Sequence, residues 1–199
     1  VLTAMAQIAA DELDVSLARI SVRSGDTATT PNEGYTAGSQ SIQSGAMALR
    51  QACADVRTLF VAAAADTLEC DPNELSVRDG TILRNGVATA EHYWTLAPRV
   101  NLAVTATGAG ALKPIADYSA VGASTARLDL PDKIFGAPAF IHDMRLPGMR
   151  HARVVRQPSR HAAIDTIDEA AIKRAAKAPI EFVRNGNFLA ILGDDETAV

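Results

Sequence analysis

The segment whose residue types best suit chemistry is EGYTAGSQSIQSG, residues 33–45. Gly38 has no side chain, and Ser39 and Ser41 have short ones, so backbone there can approach a ligand closely. The segment runs straight into a long stretch of helical periodicity. A helix start presents unpaired N–H groups and the positive end of the helix dipole. Together these suit a phosphate or another anion. The plainer reading is a serine-rich surface loop that caps a helix, and composition by itself favours it. There is no Walker lysine, and Gly34, Gly38 and Gly45 lack the spacing of a dinucleotide fingerprint.

Other reactive side chains form no recognised set. The histidines are His92, His142, His151 and His161. No two stand three or four apart, and no His-Glu motif of a zinc enzyme occurs, so no metal site is expected. Cys53 and Cys70 are too far apart for a zinc pattern. Cys53 lies among apolar neighbours and reads as a small buried hydrophobe. Ser44 is not part of a Gly-x-Ser-x-Gly elbow. The acidic pairs Asp11-Glu12 and Asp194-Asp195 read as solvated charges. No catalytic residue is assigned.

The elements that must carry these residues follow from periodicity. Leu2, Met5, Ile8, Ala9 and Leu13 recur at helical spacing, and Asp14-Val15-Ser16 ends that helix. Val1 is not Met, and no Ser, Thr, Asp or Asn precedes the helix as a cap, so the chain is expected to lack its native beginning. Ile20, Val22 and Ser24 alternate with polar residues and predict a strand. Residues 27–44 predict an irregular loop, broken by Pro31, Gly34 and Gly38. A long helix is predicted over 45–68, with the stripe Met47, Leu49, Val56, Leu59, Phe60 and Ala63. Asp79-Gly80 and Asn85-Gly86 predict two tight hairpins among strands at 75–78, 81–83 and 87–89. A short helix is predicted at 91–96. Residues 98–118, rich in Gly, Ala and Pro, read as a linker. Beyond lie strands at 140–141 and 152–155, a helix over 168–177, and a hairpin of 180–183 and 188–192 about Asn185-Gly186.

The 199 residues suit one large domain or two small ones, and the 48% apolar share is ordinary for a chain with a core. Net charge is −4. Lys and Arg read as scattered, which argues against a nucleic-acid face. No apolar run reaches the roughly 18 residues that span a bilayer. No basic segment precedes an apolar core, so no signal peptide is read. The compartment, cytoplasmic or periplasmic, stays open.

Three runs carry a resemblance: TAMAQIAADELDV (residues 3–15), VRSGDTATTPNEGYTAGSQSIQSGAMALRQA (22–52) and RLDLPDKIFGAPAFIHDMRLPGMRHARVVRQP (127–158). In that order they resemble the large subunit of the xanthine dehydrogenase / aldehyde oxidase family. The branch they resemble includes isoquinoline 1-oxidoreductase and nicotinate dehydrogenase large subunits. The resemblance implies an α+β chain. A partial molybdopterin-binding domain, two helices packed on a small mixed sheet, would occupy 1–115. A small a/b hammerhead domain would occupy 116–199.

It also implies hydroxylation of N-heterocycles or aldehydes with water as the oxygen source, using molybdopterin in its cytosine dinucleotide form. Electrons would leave through an iron–sulfur small subunit, and onward to a cytochrome. The family's cofactor-lining loop matches Thr36, Ala37, Gly38 and Ser39, with Gln40 and Ser41 next. The family's Gly-Gln-Gly motif and its Gly-x-Gly-Glu motif, which holds the catalytic glutamate, do not occur here. The expectation is therefore a fragment, inactive alone, holding no cofactor by itself and prone to self-association through the apolar stripes of its two long helices. The rival expectation is a non-catalytic binding or assembly module for an anion or a partner subunit. A third is an unrelated structural α+β protein.

Overall fold

A computed structural model describes residues 1–138 and 140–199; Ala139, inside the third run above, lies outside them. The chain is α+β and divides into two compact units, Val1–Ala137 and Pro138–Val199.

The first unit is built on two helices and a three-stranded sheet. Helix α1 (Leu2–Leu13) has no side-chain cap at Val1 and ends at Asp14, whose left-handed φ of 54° turns its N–H back to Ala10 and Asp11. Helix α2 (Met47–Leu68) follows a π-helical turn, Ser41–Ala46. The sheet comprises β1 (Leu75–Arg78), β2 (Thr81–Arg84) and β3 (Val87–His92), in that spatial order. Every pairing is antiparallel, not mixed as expected. The reason is local: Asp79-Gly80 and Asn85-Gly86 take positive φ at both positions, the two-residue turn that only an antiparallel hairpin uses. Helix α3 (Tyr93–Leu96) is capped by His92, whose Nδ1 accepts the Thr95 N–H at 3.1 Å. A short helix α4 (Leu130–Ile134) comes last.

Phe60, Ala64, Ile82, Tyr93 and Leu96 form the buried core, with Leu13, Val56 and Leu75 against it. The Phe60 and Tyr93 rings lie 4.5 Å apart, tilted, and the Tyr93 hydroxyl donates to the Leu13 carbonyl. Cys53 is buried, as read from its neighbours, and burial pushes its thiol up to about 11. The stripe expected on α2 is displaced: Cys53, Ala54, Phe60, Ala64 and Ala65 are buried, and Met47 is exposed. Helix α2 packs against α1, and its Phe60 and Ala64 face Ile82, Tyr93 and Leu96 in the core.

Two predictions fail here. The strand at 20–24 is absent, because nothing pairs with it and a lone strand leaves its backbone groups unmet. Leu17–Arg19 forms a 3₁₀ turn instead, with Arg19 bound to Asp79 and stacked over Trp94. The Asp11-Glu12 pair is not solvated. Asp11 is 3% exposed and Glu12 1%. Buried charge persists only where partners surround it, and here they come from far along the chain.

Those partners turn the predicted linker into a strap, residues 107–121. Glu12 accepts from Arg50 Nε at 2.7 Å, from Arg57, and from the Lys113 N–H at 3.1 Å. Asp11 accepts the N–H groups of Ser119, Ala120 and Val121 at 2.7–3.0 Å. Asp55 on α2 accepts those of Thr107, Gly108 and Gly110 at 2.6–2.9 Å. Arg50, Gln51 and Arg57 donate to strap carbonyls in return. Gly110 lies so close to α2 that a Cβ there would meet its backbone at 2.6 Å.

The second unit is a three-stranded antiparallel sheet and one helix. The strands are β4 (His151–Val154), β5 (Ile180–Asn185) and β6 (Phe188–Gly193), in the order β4-β6-β5. Helix α5 (Glu169–Ala175) is capped by Asp168, which accepts the Ala171 N–H at 2.9 Å. The strand predicted at 140–141 is absent. The Phe140 N–H donates to the Asp143 carboxylate, and this local bond favours a turn over a ladder.

Among the described residues, no helix is long and apolar enough to cross a membrane. Large exposed apolar residues include Tyr35, Val87, Ile115, Phe135 and Ile141, and on the α2 stripe Met47, while the α1 stripe is half-buried or buried.

Candidate functional site

Residues 27–40 are irregular, as predicted, and lead into the head of α2. Thr36, Ala37, Gly38, Ser39 and Gln40 are exposed and Ser41 is half-buried. Gly38 and Ser39 both take left-handed φ, 62° and 56°. Two such residues in a row make a sharp corner, which suits Gly and strains Ser. The corner turns the chain into the π-helical turn Ser41–Ala46, whose Ala46 is buried and whose Gly45 lies beside Met5 of α1 and Glu33.

The start of the loop is held by Asp26, which accepts from Thr29 and Thr30, but the corner is not held this way. Among the described residues, no hydrogen bond is made by the side chains of Thr36, Ser39, Gln40 or Ser41. No side chain caps the helical turn at Gln40. The one backbone bond nearby runs from the Gln40 N–H to the Ala37 carbonyl, a long 3.4 Å. The structure thus keeps all six predicted residues on one contiguous corner, with three hydroxyls and one amide open to solvent.

A concavity of about 410 Å³ lies elsewhere in this unit, beside Asp14, Arg57, Val61, Leu75 and Lys113. Most of its charges are matched, since Lys113 binds Asp14 and Arg57 binds Glu12 and Asp14, while Asp117 also lines it. It offers a ligand little that is free.

The histidines do not converge. His92 caps α3, His151 sits 3.9 Å from Glu196, and His142 and His161 are exposed. Among the described residues, no three His, Cys, Asp or Glu side chains could hold one metal ion.

Sequence reasoning missed the carboxylates of Asp11, Glu12 and Asp55. For Asp11, burial opposes ionisation, but the N–H groups of Ser119, Val121 and Ala120 outweigh it and hold the carboxyl below its ordinary value. For Asp55, the N–H groups of Gly108, Gly110 and Thr107 hold it down to about 2. The one signal available was their place beside the helix stripes. Their partners stand 38 to 110 residues away.

Residues 1–129 match the molybdopterin cofactor-binding domain family. The chain belongs to that family. It is also 38% identical over 156 residues to a subunit of the nicotinate dehydrogenase of Pseudomonas putida. That match covers 78% of this chain and 13% of the relative, so the chain spans about an eighth of that protein's length. The family match contains α1, the corner at 36–41, α2, the sheet and the strap. In a molybdopterin cofactor-binding domain, a corner of free donors at the head of a helix is chemically suited to a pterin bearing phosphate.

Proposed function

We propose that this chain is part of the large subunit of a molybdenum hydroxylase of the xanthine dehydrogenase / aldehyde oxidase type. The observation that carries the reading is the match of residues 1–129 to a cofactor-binding family, in a chain whose exposed corner keeps its donors unpaired. Residues 36–41 contact the pterin or its phosphate. Gly38 lets the backbone close in, and Thr36, Ser39, Gln40 and Ser41 donate hydrogen bonds. The bound cofactor, as its cytosine dinucleotide form, supplies the redox chemistry that hydroxylates an N-heterocycle or an aldehyde with oxygen from water. The chain's own residues bind and orient; none supplies an acid or base. The intact subunit passes electrons to an iron–sulfur subunit and then to a cytochrome. The cofactor-binding part includes the strap, and a hammerhead domain follows it in the chain. By itself the chain does not turn over.

The test uses pterin released by heat from a molybdenum enzyme, followed by its fluorescence polarisation. The chain is expected to retain no cofactor through purification but to bind added pterin reversibly, and Gly38→Val is expected to weaken that binding while the far-ultraviolet spectrum stays unchanged. Equal binding by both proteins contradicts the reading. Stoichiometric pterin with hydroxylase turnover in the purified chain contradicts its inactivity.

A further inference from the structure

The arginines are not as evenly spread as they first read. Residues 144–164 hold Arg145, Arg150, Arg153, Arg156 and Arg160 and no acidic residue. Arg150 is matched by Glu181 and Asp194. Arg145 donates to the His142 and Met144 carbonyls. The guanidinium groups of Arg153, Arg156 and Arg160 make no ion pair or hydrogen bond among the described residues. An unmatched cationic strip in a chain of net charge −4 marks a place suited to negative charge.

Arg153 stands on strand β4, and Arg156 and Arg160 follow just past its end. Among the described residues, β4 pairs with β6 on one side only. The Val155 N–H donates to Leu189 of β6, and antiparallel pairing alternates. The N–H and C=O groups of Ala152 and Val154 therefore point away from β6, along the free edge. An edge with unmet backbone groups is a template for another strand. Where β4 ends, Val154, Val155, Arg156, Arg160 and Phe188 line a groove of about 510 Å³. Val154 and Phe188 are each about half exposed, at 49% and 47%.

We infer that the β4 edge takes up an extended, acidic segment of a partner protein as a fourth strand. Its backbone would pair with Ala152 and Val154, its carboxylates would face Arg153, Arg156 and Arg160, and an apolar side chain would enter the groove beside Phe188. Strand addition draws affinity from main-chain bonds and specificity from alternate side chains, and this edge offers both. A nucleic acid would use the arginines but not the free edge or the valines. The inference does not rest on the cofactor reading of residues 36–41.

The probe is a fluorescein-labelled, end-blocked eight-residue peptide of alternating Glu and Val, followed by anisotropy with the full chain. It is expected to bind at least tenfold more tightly than its Lys/Val counterpart, and more weakly as salt rises. The double variant Arg156→Glu/Arg160→Glu is expected to lose tenfold or more in affinity with its melting midpoint unchanged. Val154→Pro removes an N–H that β6 does not use and is expected to abolish binding. Should that variant not fold, exchange at the Ala152 and Val154 amides answers the same question: the peptide is expected to protect both. Equal affinity for the two peptides overturns the inference. Equal affinity for an eight-nucleotide single strand, or amides left unprotected by the bound peptide, does the same.

Discussion

Two irregular loops of the first unit look alike in sequence and differ in everything physical. Residues 27–40 contain Gly34 and Gly38; residues 107–121 contain Gly108 and Gly110. The second loop is held down by Asp11, Glu12 and Asp55, which accept seven of its N–H groups. The first is exposed from residue 31 to residue 40, with the side-chain donors of its corner unmet. The lesson concerns where backbone polar groups go. A loop whose donors are mostly matched serves the fold. A loop whose donors are open, yet which is turned sharply at Gly38 and Ser39, is free to serve a ligand.

The largest expected effect falls on the strap. Glu12→Ala leaves Arg50 and Arg57 without their buried carboxylate, and breaking a buried pair costs about 3–5 kcal/mol. Urea unfolding should show it. A loss of under about 1 kcal/mol would mean the strap does not depend on Glu12. Next comes a matched pair of glycine substitutions. Gly110→Ala places a methyl against the backbone of Ala54 and Asp55 and should cost about 1–3 kcal/mol by overpacking. Gly38→Ala meets no backbone and adds only left-handed strain, about 1 kcal/mol. The reverse order would dissolve the contrast between the loops.

Acid should release the strap before it alters residues 36–41. Asp55 is held down to about 2 by its backbone donors, and Asp11 is also lowered. A carboxyl lowered in the folded state adds stability that is fully present above its unfolded value. That stability is lost as pH falls toward the folded value. Exchange at the Thr107, Gly108 and Gly110 amides should therefore quicken between about pH 4 and the folded value of about 2. Exchange that is flat across this window would show that Asp55 does not hold them. The smallest expected effect is that of Ser39→Ala with Ser41→Ala: within about 0.5 kcal/mol of unchanged stability.

What the sequence made legible was local. Helix α1 came with its end at Asp14, and the hairpins at Asp79-Gly80, Asn85-Gly86 and around Gly186 came from turn chemistry that needs no distant residue. The six corner residues were legible as a type of segment, small and polar before a helix. What stayed hidden was the strap. Asp11 and Glu12 follow an apolar stripe and look solvated, because their partners at Lys113, Ser119 and Val121 stand about a hundred residues on. The strand at 20–24 failed for the converse reason: alternation was present, but no partner strand was. The open β4 edge was hidden as well, since five arginines over residues 145–160 read as scattered until the fold put Arg153 on an edge strand and Arg156 and Arg160 at the groove where it ends.

The most direct test of the contrast between the loops is an amide-resolved NMR titration of the chain with cytidine diphosphate. The account predicts shift changes at Gly38, Ser39, Gln40 and Ser41, with residues 107–121 unmoved. Changes centred on 107–121, or none at residues 36–41, would contradict it.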